Sequence, residues 1–122
     1  MTLNIFVVQE HHAQRAGLHW DFRLQSKDIL LSWVLRKPPP IQIGVIHKVI
    51  RVNDHSLHCA QFSGEVSEGY GKGTVKIWDA GHMTYVEDRL DHQLVFILYG
   101  KKLVGKYCIL PFQDYFLLYK LS

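Results

Sequence analysis

The residue types that bind divalent cations and phosphate stand in phase within one stretch, His11-His12-Ala13-Gln14-Arg15-Ala16-Gly17-Leu18-His19-Trp20-Asp21-Phe22-Arg23-Leu24. From Leu18 onward apolar and polar residues alternate. Leu18, Trp20, Phe22 and Leu24 fall on one side, and His19, Asp21 and Arg23 on the other. That is the period of a β-strand with one buried face. Residues two apart on a strand project the same way from backbone positions roughly 6.5 Å apart, given a rise of about 3.3 Å per residue. His19 and Asp21 are therefore spaced to share one cation, and Arg23 extends the face with a permanent positive charge suited to a phosphate or carboxylate. His11 and His12 precede a loop containing Gly17, which could fold one of the two imidazoles back onto the site.

The competing reading is a solvated strand face, since a histidine and an aspartate alternating with aromatics are common on any half-exposed strand. Three features favour chemistry: the neighbouring histidine pair, the arginine in phase, and a further histidine at His55 preceded by Asn53-Asp54. Trp33 and Trp78 lie in apolar runs and read as core rather than as base-stacking platforms. His47, His58, His82 and His92 read as surface or structural residues.

The elements that must position these groups are short strands. Residues 3–9 read as a strand that delivers Gln9, Glu10 and His11 to one end of a sheet, followed by a loop over residues 12–17. The polar turn Gln25-Ser26-Lys27-Asp28 joins the strand at 18–24 to an apolar strand at 29–35, which predicts a hairpin. Pro38-Pro39-Pro40 cannot continue a ladder. A β-branched strand over 45–52 runs into a turn at Asn53-Asp54-His55. The glycine-dense residues 64–73 match neither a nucleotide-phosphate loop nor a dinucleotide fingerprint, and read as a structural loop feeding a strand at 74–79. The remainder is a meander of strands at 94–99, 103–110 and 115–121, with turns at Gly100-Lys101-Lys102 and Pro111-Phe112-Gln113-Asp114. Short strands at regular spacing without a convincing amphipathic helix predict an all-β protein with short helical turns, a small closed antiparallel β-barrel that hides its edges.

The chain has 122 residues, enough for one domain over positions 1–122. Its net charge of +3 is compatible with a polyanionic ligand but too small for a general nucleic-acid coat. Two cysteines, Cys59 and Cys108, are too few and too far apart for a disulfide framework and read as free thiols. No apolar run approaches the ~20 residues of a membrane span. The first residues lack the basic start and cleavage site of a secretory signal, so the expectation is a cytoplasmic, monomeric protein with no membrane contact.

The blocks Phe6-Val7-Val8-Gln9-Glu10-His11-His12-Ala13, Leu18 to Leu24, Ser32-Trp33, Asp54-His55 and Gly69 to Asp79 resemble the 3′-phosphoesterase family, found as a module of bacterial ligase D and as free-standing small proteins. The resemblance runs from Phe6 to Tyr119-Lys120-Leu121. It implies a small β-barrel and manganese-dependent trimming of nucleic-acid 3′ ends: removal of a terminal ribonucleoside to leave a 3′-phosphate, then hydrolysis of that phosphate to a 3′-hydroxyl. By the same resemblance His11, His19 and Asp21 fall on the metal-binding positions, and Arg23 and His55 on phosphate-contacting and catalytic positions. Lys37 matches a basic residue near the phosphate, and Gln9 a polar residue at the rim. Cys59 stands where the family has a tyrosine, Asn53 stands where it has an acidic residue, and two extra residues separate His11 from His19.

The resemblance thus implies an end-healing hydrolase of DNA or RNA/DNA 3′ ends, using Mn²⁺, or Co²⁺ or Zn²⁺ in its place, and working beside a separate ligase, polymerase or Ku-like end-binding protein. Two imidazoles and a carboxylate suit Mn, Fe or Zn. Arg23 and Lys37 would offset charge on the phosphoryl oxygens, and His55 would assist departure of the leaving oxygen. Two rivals remain: a non-catalytic module that caps 3′ ends, and a non-haem Fe(II) oxygenase-like barrel. The second lacks a late arginine for its co-substrate, since none follows Arg89.

Overall fold

The computed structural model describes residues 3–122. Nine strands and one short 3₁₀ helix run in the order β1 (Asn4–Ala13), β2 (Gly17–Ser26), β3 (Ile29–Leu35), β4 (Ile46–Ser56), the 3₁₀ helix (Leu57–Gln61), β5 (Gly64–Val66), β6 (Gly73–Arg89), β7 (Gln93–Tyr99), β8 (Val104–Phe112) and β9 (Tyr115–Lys120). Eight of them form an antiparallel ring ordered β1-β2-β3-β4-β9-β8-β7-β6, closed by pairing of β6 with β1. The small strand β5 lies outside the ring on β6. The expected closed barrel is the observed one, and closure removes the unpaired edges that an open sheet would present.

Alternation fills the barrel. Phe6 and Val8 of β1, Trp20, Phe22 and Leu24 of β2, and Leu31, Trp33 and Leu35 of β3 meet Leu94, Phe96 and Leu98 of β7 in one core cluster. Phe22 touches the Trp33 and Phe96 rings at centroid distances of 6.5 and 6.2 Å, within the range of favourable aromatic pairs. Trp33 is fully buried and Trp78 packs partly buried against the same cluster, so both serve the core as the sequence suggests. Leu18, in phase with Trp20 and Phe22, lies beyond the end of the core and is exposed.

Several local expectations change. The first strand does not stop at Gln9: it runs to Ala13, and a three-residue turn returns the chain at Gly17, whose φ of +79° suits glycine. His11 and His12 thus sit on a strand, and the pleat sends them to opposite faces. The residues Asn53-Asp54-His55 are not a turn but the end of β4. Between Leu30 and Ser32 the β3–β4 register slips, so that Leu30 faces His55 while Ser32 faces Val52, which is a β-bulge in β4. The strand at 74–79 extends to Arg89 because β6 changes partners along its length, from β1 to β7. The turn before β9 shrinks to Gln113-Asp114.

One buried polar group locks the far end of the barrel. Asp79, 4% exposed, accepts hydrogen bonds from the backbone N–H groups of Lys101 (3.0 Å), Lys102 (3.0 Å) and Leu103 (2.8 Å). The turn approaches so closely that a Cβ at Gly100 would collide with Asp79 Oδ2 and the Phe6 ring. Replacing Asp79 by Ala would strand three donors, and each unsatisfied buried group costs about 1–3 kcal/mol. Asp79→Ala is therefore expected to lose roughly 3 kcal/mol or more of unfolding free energy in urea titration, where a loss under about 1 kcal/mol would contradict this role.

Candidate active site

Because the ring buries one side of each strand, the polar side of β1–β4 faces outward, yet it is not wet. Gln9, His19, Asp21, Arg23 and Ser32 are all buried on the outside of the barrel. The 3₁₀ helix covers this face at one end, where Ala60 packs with Val7 and Leu30. The loop 67–72 closes over the other end, where Gly71 meets His11. Between them lies a cleft of ≈ 350 Å³ lined by His11, His19, Asp21, Arg23, Arg36 and His55, with Tyr70 and Gly71 on its rim.

Cross-strand register places the groups. His11 pairs with His19, Gln9 with Asp21, and Arg23 with Ser32. The two imidazole rings stand 4.7 Å apart by centroid. Asp21 Oδ2 lies 3.6 Å from His11 Nδ1, 3.5 Å from His19 Nε2 and 3.7 Å from Arg23 Nη2. One donor atom from each of His11, His19 and Asp21 falls within 4.8 Å of the other two. His12 is not part of this group. It sits on the opposite face of β1, exposed, with Nε2 2.6 Å from Glu10 Oε2.

The outer nitrogen of each imidazole settles the orientation of the inner one. His11 Nε2 donates to the Gly71 carbonyl at 2.7 Å, and His19 Nδ1 donates to the Gly17 carbonyl at 3.0 Å. A carbonyl only accepts, so each outer nitrogen carries the proton, and a neutral ring turns its lone pair inward at His11 Nδ1 and His19 Nε2. Two lone pairs and a carboxylate then converge on one point, an arrangement that asks for a cation. Ligands bonded at ~2.0–2.2 Å stand roughly 3–3.5 Å apart, close to the two Asp21–histidine distances. Histidine ligands usually donate their other N–H in this manner. The donor set fits a first-row dication.

Without a cation the same contacts polarise the trio. Its interaction with the Asp21 carboxylate raises the His19 pKa above its ordinary value, against the opposing effect of burial. Burial pushes the Asp21 carboxyl up, but His19 and the charges of Arg23 and His11 outweigh it and hold Asp21 below the usual carboxylate range.

Arg23 is the centre of the second half of the site. Its Nε donates to Gln9 Oε1 (2.8 Å) and its Nη1 to Ser32 Oγ (2.8 Å) and His55 Nδ1 (2.9 Å). Gln9 in turn donates Nε2 to the carbonyls of Cys59 (2.7 Å) and Phe62 (3.1 Å). Gln9 is thus a buried brace for the arginine rather than a residue of the rim. Cys59 thus contributes its backbone carbonyl to that brace. Arg23 Nη2 has no hydrogen-bond partner among the described residues and turns to the cleft.

Lys37 is not brought to this cleft. It lies exposed in an adjoining groove of ≈ 650 Å³ with His47, Lys48 and Ile50. Arg36 takes the place at the cleft itself, its Nη1 donating to the Ala16 carbonyl at 2.6 Å. Sequence reading passes over Arg36, Ser32 and Tyr70. Ser32 had a signal, being the one polar residue in the apolar run 29–35.

The structure thus joins an all-β barrel to a histidine–carboxylate cluster beside a buried guanidinium. The family described as the DNA ligase D 3′-phosphoesterase domain matches residues 9–111, and the chain belongs to it. It is 38% identical over 111 residues to the multifunctional non-homologous end joining protein LigD of Mycobacterium bovis, covering 88% of this chain and 14% of the relative. It is 38% identical over 107 residues to LigD of Pseudomonas aeruginosa (84% and 12%) and 32% identical over 116 residues to LigD of Mycolicibacterium smegmatis (86% and 15%). The chain thus spans about one-seventh of the length of these relatives.

The arginine's donation fixes the state of His55. Burial, then the charge of Arg23, lowers its pKa below the ordinary histidine value. With Nδ1 accepting from Arg23, neutral His55 carries its proton on Nε2. Long-range ¹H–¹⁵N spectra at pH 7 are expected to show the Nε2–H tautomer and a titration midpoint below about 6.5, the unperturbed value. A midpoint above that value, or an Nδ1–H ring, would contradict the assigned bond.

Proposed function

We propose that this chain is a metal-dependent phosphoesterase that heals nucleic-acid 3′ ends, hydrolysing a 3′-phosphate and removing a 3′-terminal ribonucleoside, so that a 3′-hydroxyl remains for repair and ligation. The observation that carries the reading is the convergence of His11 Nδ1, His19 Nε2 and Asp21 on one point, with Arg23 Nη2 3.7 Å from Asp21 Oδ2 and so beside it, ready for an oxyanion. The relatives' names place them in non-homologous end joining, which supports an end-processing role.

His11, His19 and Asp21 would hold the ion, Mn²⁺ in first place, with Co²⁺ or Zn²⁺ as substitutes. Bound there, it would act as a Lewis acid on the phosphoryl group and ease deprotonation of water. Arg23, with its orientation locked by Gln9 and Ser32, presents Nη2 to a phosphoryl oxygen at no cost of reorganisation. Arg36 adds a second cation at the mouth of the cleft. His55, neutral with its proton on Nε2, gives a hydrogen bond to a phosphate or leaving-group oxygen. In the first step water adds to phosphorus and the bond to the terminal ribonucleoside O5′ breaks, freeing the nucleoside. In the second, water adds again, the P–O3′ bond breaks, and inorganic phosphate leaves.

Lys37, with Lys48, is assigned to the strand's other phosphates. A DNA or RNA/DNA 3′ end is the substrate in this reading, and a separate ligase, polymerase or Ku-like protein would use the product. The end-capping rival shares every contact and differs only in turnover.

The test is release of phosphate from a 3′-phosphorylated oligonucleotide with Mn²⁺. Asp21→Ala is expected to abolish it, and Arg23→Ala to lower it by about 10²–10³-fold, the scale of one well-placed oxyanion donor. His12→Ala, outside the cluster, is expected to stay within about threefold, since surface changes of this kind rarely matter. Unchanged activity in Asp21→Ala would reject the site. Tight binding of 3′-phosphate ends by the wild type with no turnover under any divalent metal would favour the end-capping module.

A further inference from the structure

Tyr70 is the most exposed aromatic among the described residues, 68% accessible, and it lines two cavities at once: the catalytic cleft and a second cleft of ≈ 490 Å³. The turn that carries it is pinned. The Gln14 N–H donates to the Lys72 carbonyl at 2.8 Å, the Lys72 N–H to the Gly69 carbonyl at 3.1 Å, and His11 Nε2 to the Gly71 carbonyl between them. The ring is thus held beside the histidine–aspartate cluster without being packed into the core. An aromatic face open to solvent at the edge of a phosphate site, on a turn whose backbone is tied down, is a surface for a nucleobase.

The two cavities beside the catalytic cleft differ in charge. The groove on one side carries Arg36, Lys37, His47 and Lys48 and no carboxylate, which suits a run of phosphates. The cleft beyond Tyr70 sets Glu68 among Arg15 and Lys72 and adds Gln14 and Ser67. Mixed donors and acceptors with one acidic group suit the hydroxyls and base edge of a nucleoside better than a phosphodiester backbone, and the volume lies in the range of small-molecule sites.

Resting on the end-healing reading above, we propose that the Tyr70 cleft is the subsite for the 3′-terminal nucleoside that is removed, its base stacked on the tyrosine ring, while the retained strand runs over the Arg36–Lys37–Lys48 groove. Tyr70 then acts in the first hydrolytic step, when a nucleoside lies beyond the scissile phosphate. A strand ending in a 3′-phosphate has no group to place there.

The experiment compares two 5′-labelled strands with Mn²⁺, one ending in a single ribonucleotide and one in a 3′-phosphate. Tyr70→Ala is expected to lower the ratio of nucleoside removal to phosphate release about tenfold, the scale of one base–aromatic contact, mainly through KM. Tyr70→Phe and Tyr70→Trp, which keep a ring, are expected to retain the wild-type ratio. An unchanged ratio in Tyr70→Ala, with both rates equal to wild type or both slowed alike, overturns the subsite; the second pattern would mean that the residue acts only by holding Gly71 against His11. A wild-type protein that releases phosphate but never the nucleoside also overturns the subsite while leaving the phosphatase reading intact. A wild-type protein inert on both strands instead removes the end-healing reading on which the subsite rests.

Discussion

The structure depends on how a guanidinium is kept out of water on the outer wall of a barrel. Arg23 is 8% exposed, and a buried charge left without partners is costly enough to unfold or neutralise it. Every neighbour answers that cost. Gln9 and Ser32 accept from it, His55 offers a bare ring nitrogen, and Asp21 supplies the opposite charge. Gln9 reaches onward to the carbonyls of Cys59 and Phe62, so the short helix over this face is tied to the same cation. A guanidinium held on several sides keeps its remaining nitrogen aimed, which is what an oxyanion site needs.

The barrel makes this possible by giving its outer wall to polar chemistry. Strand β2 is buried on both sides: its even-numbered aromatics fill the interior while His19, Asp21 and Arg23 lie beneath the loop 67–72 and the 3₁₀ helix. The bulge in β4 serves the same end. Without the extra residue His55 would point away from Ser32 and Arg23, and with it the histidine returns to their face. No helix among the described residues is long and apolar enough to cross a membrane.

Much of this was legible in the order of residues. The alternation from Leu18 to Leu24 located β2, and the apolar run 29–35 matched β3 from end to end. The closed all-β architecture followed from short strands at even spacing. What could not be read depends on pairing across the barrel. The Asn53-Asp54-His55 segment has turn-forming residues, but tertiary pairing holds it in a bulged strand, since local propensity yields to the register of a sheet. His11 and His12 are equivalent in spacing arguments, and only the pleat of β1 separates them. Arg36 and Lys37 are adjacent cations, and the strand exit before the prolines sets Arg36 between the cleft and the groove beside it, while Lys37 lines the groove and not the cleft. Gln9 could be named as polar but not as a brace, because its partners lie fifty residues away in the chain.

The most direct measurement is anomalous diffraction at the manganese absorption edge from crystals equilibrated with Mn²⁺. A single strong peak is expected in the space bounded by His11 Nδ1, His19 Nε2 and Asp21, with Arg23 still bonded to Gln9, Ser32 and His55. Absence of density there at saturating Mn²⁺, or a peak held by other residues with His11 turned away, would contradict the site.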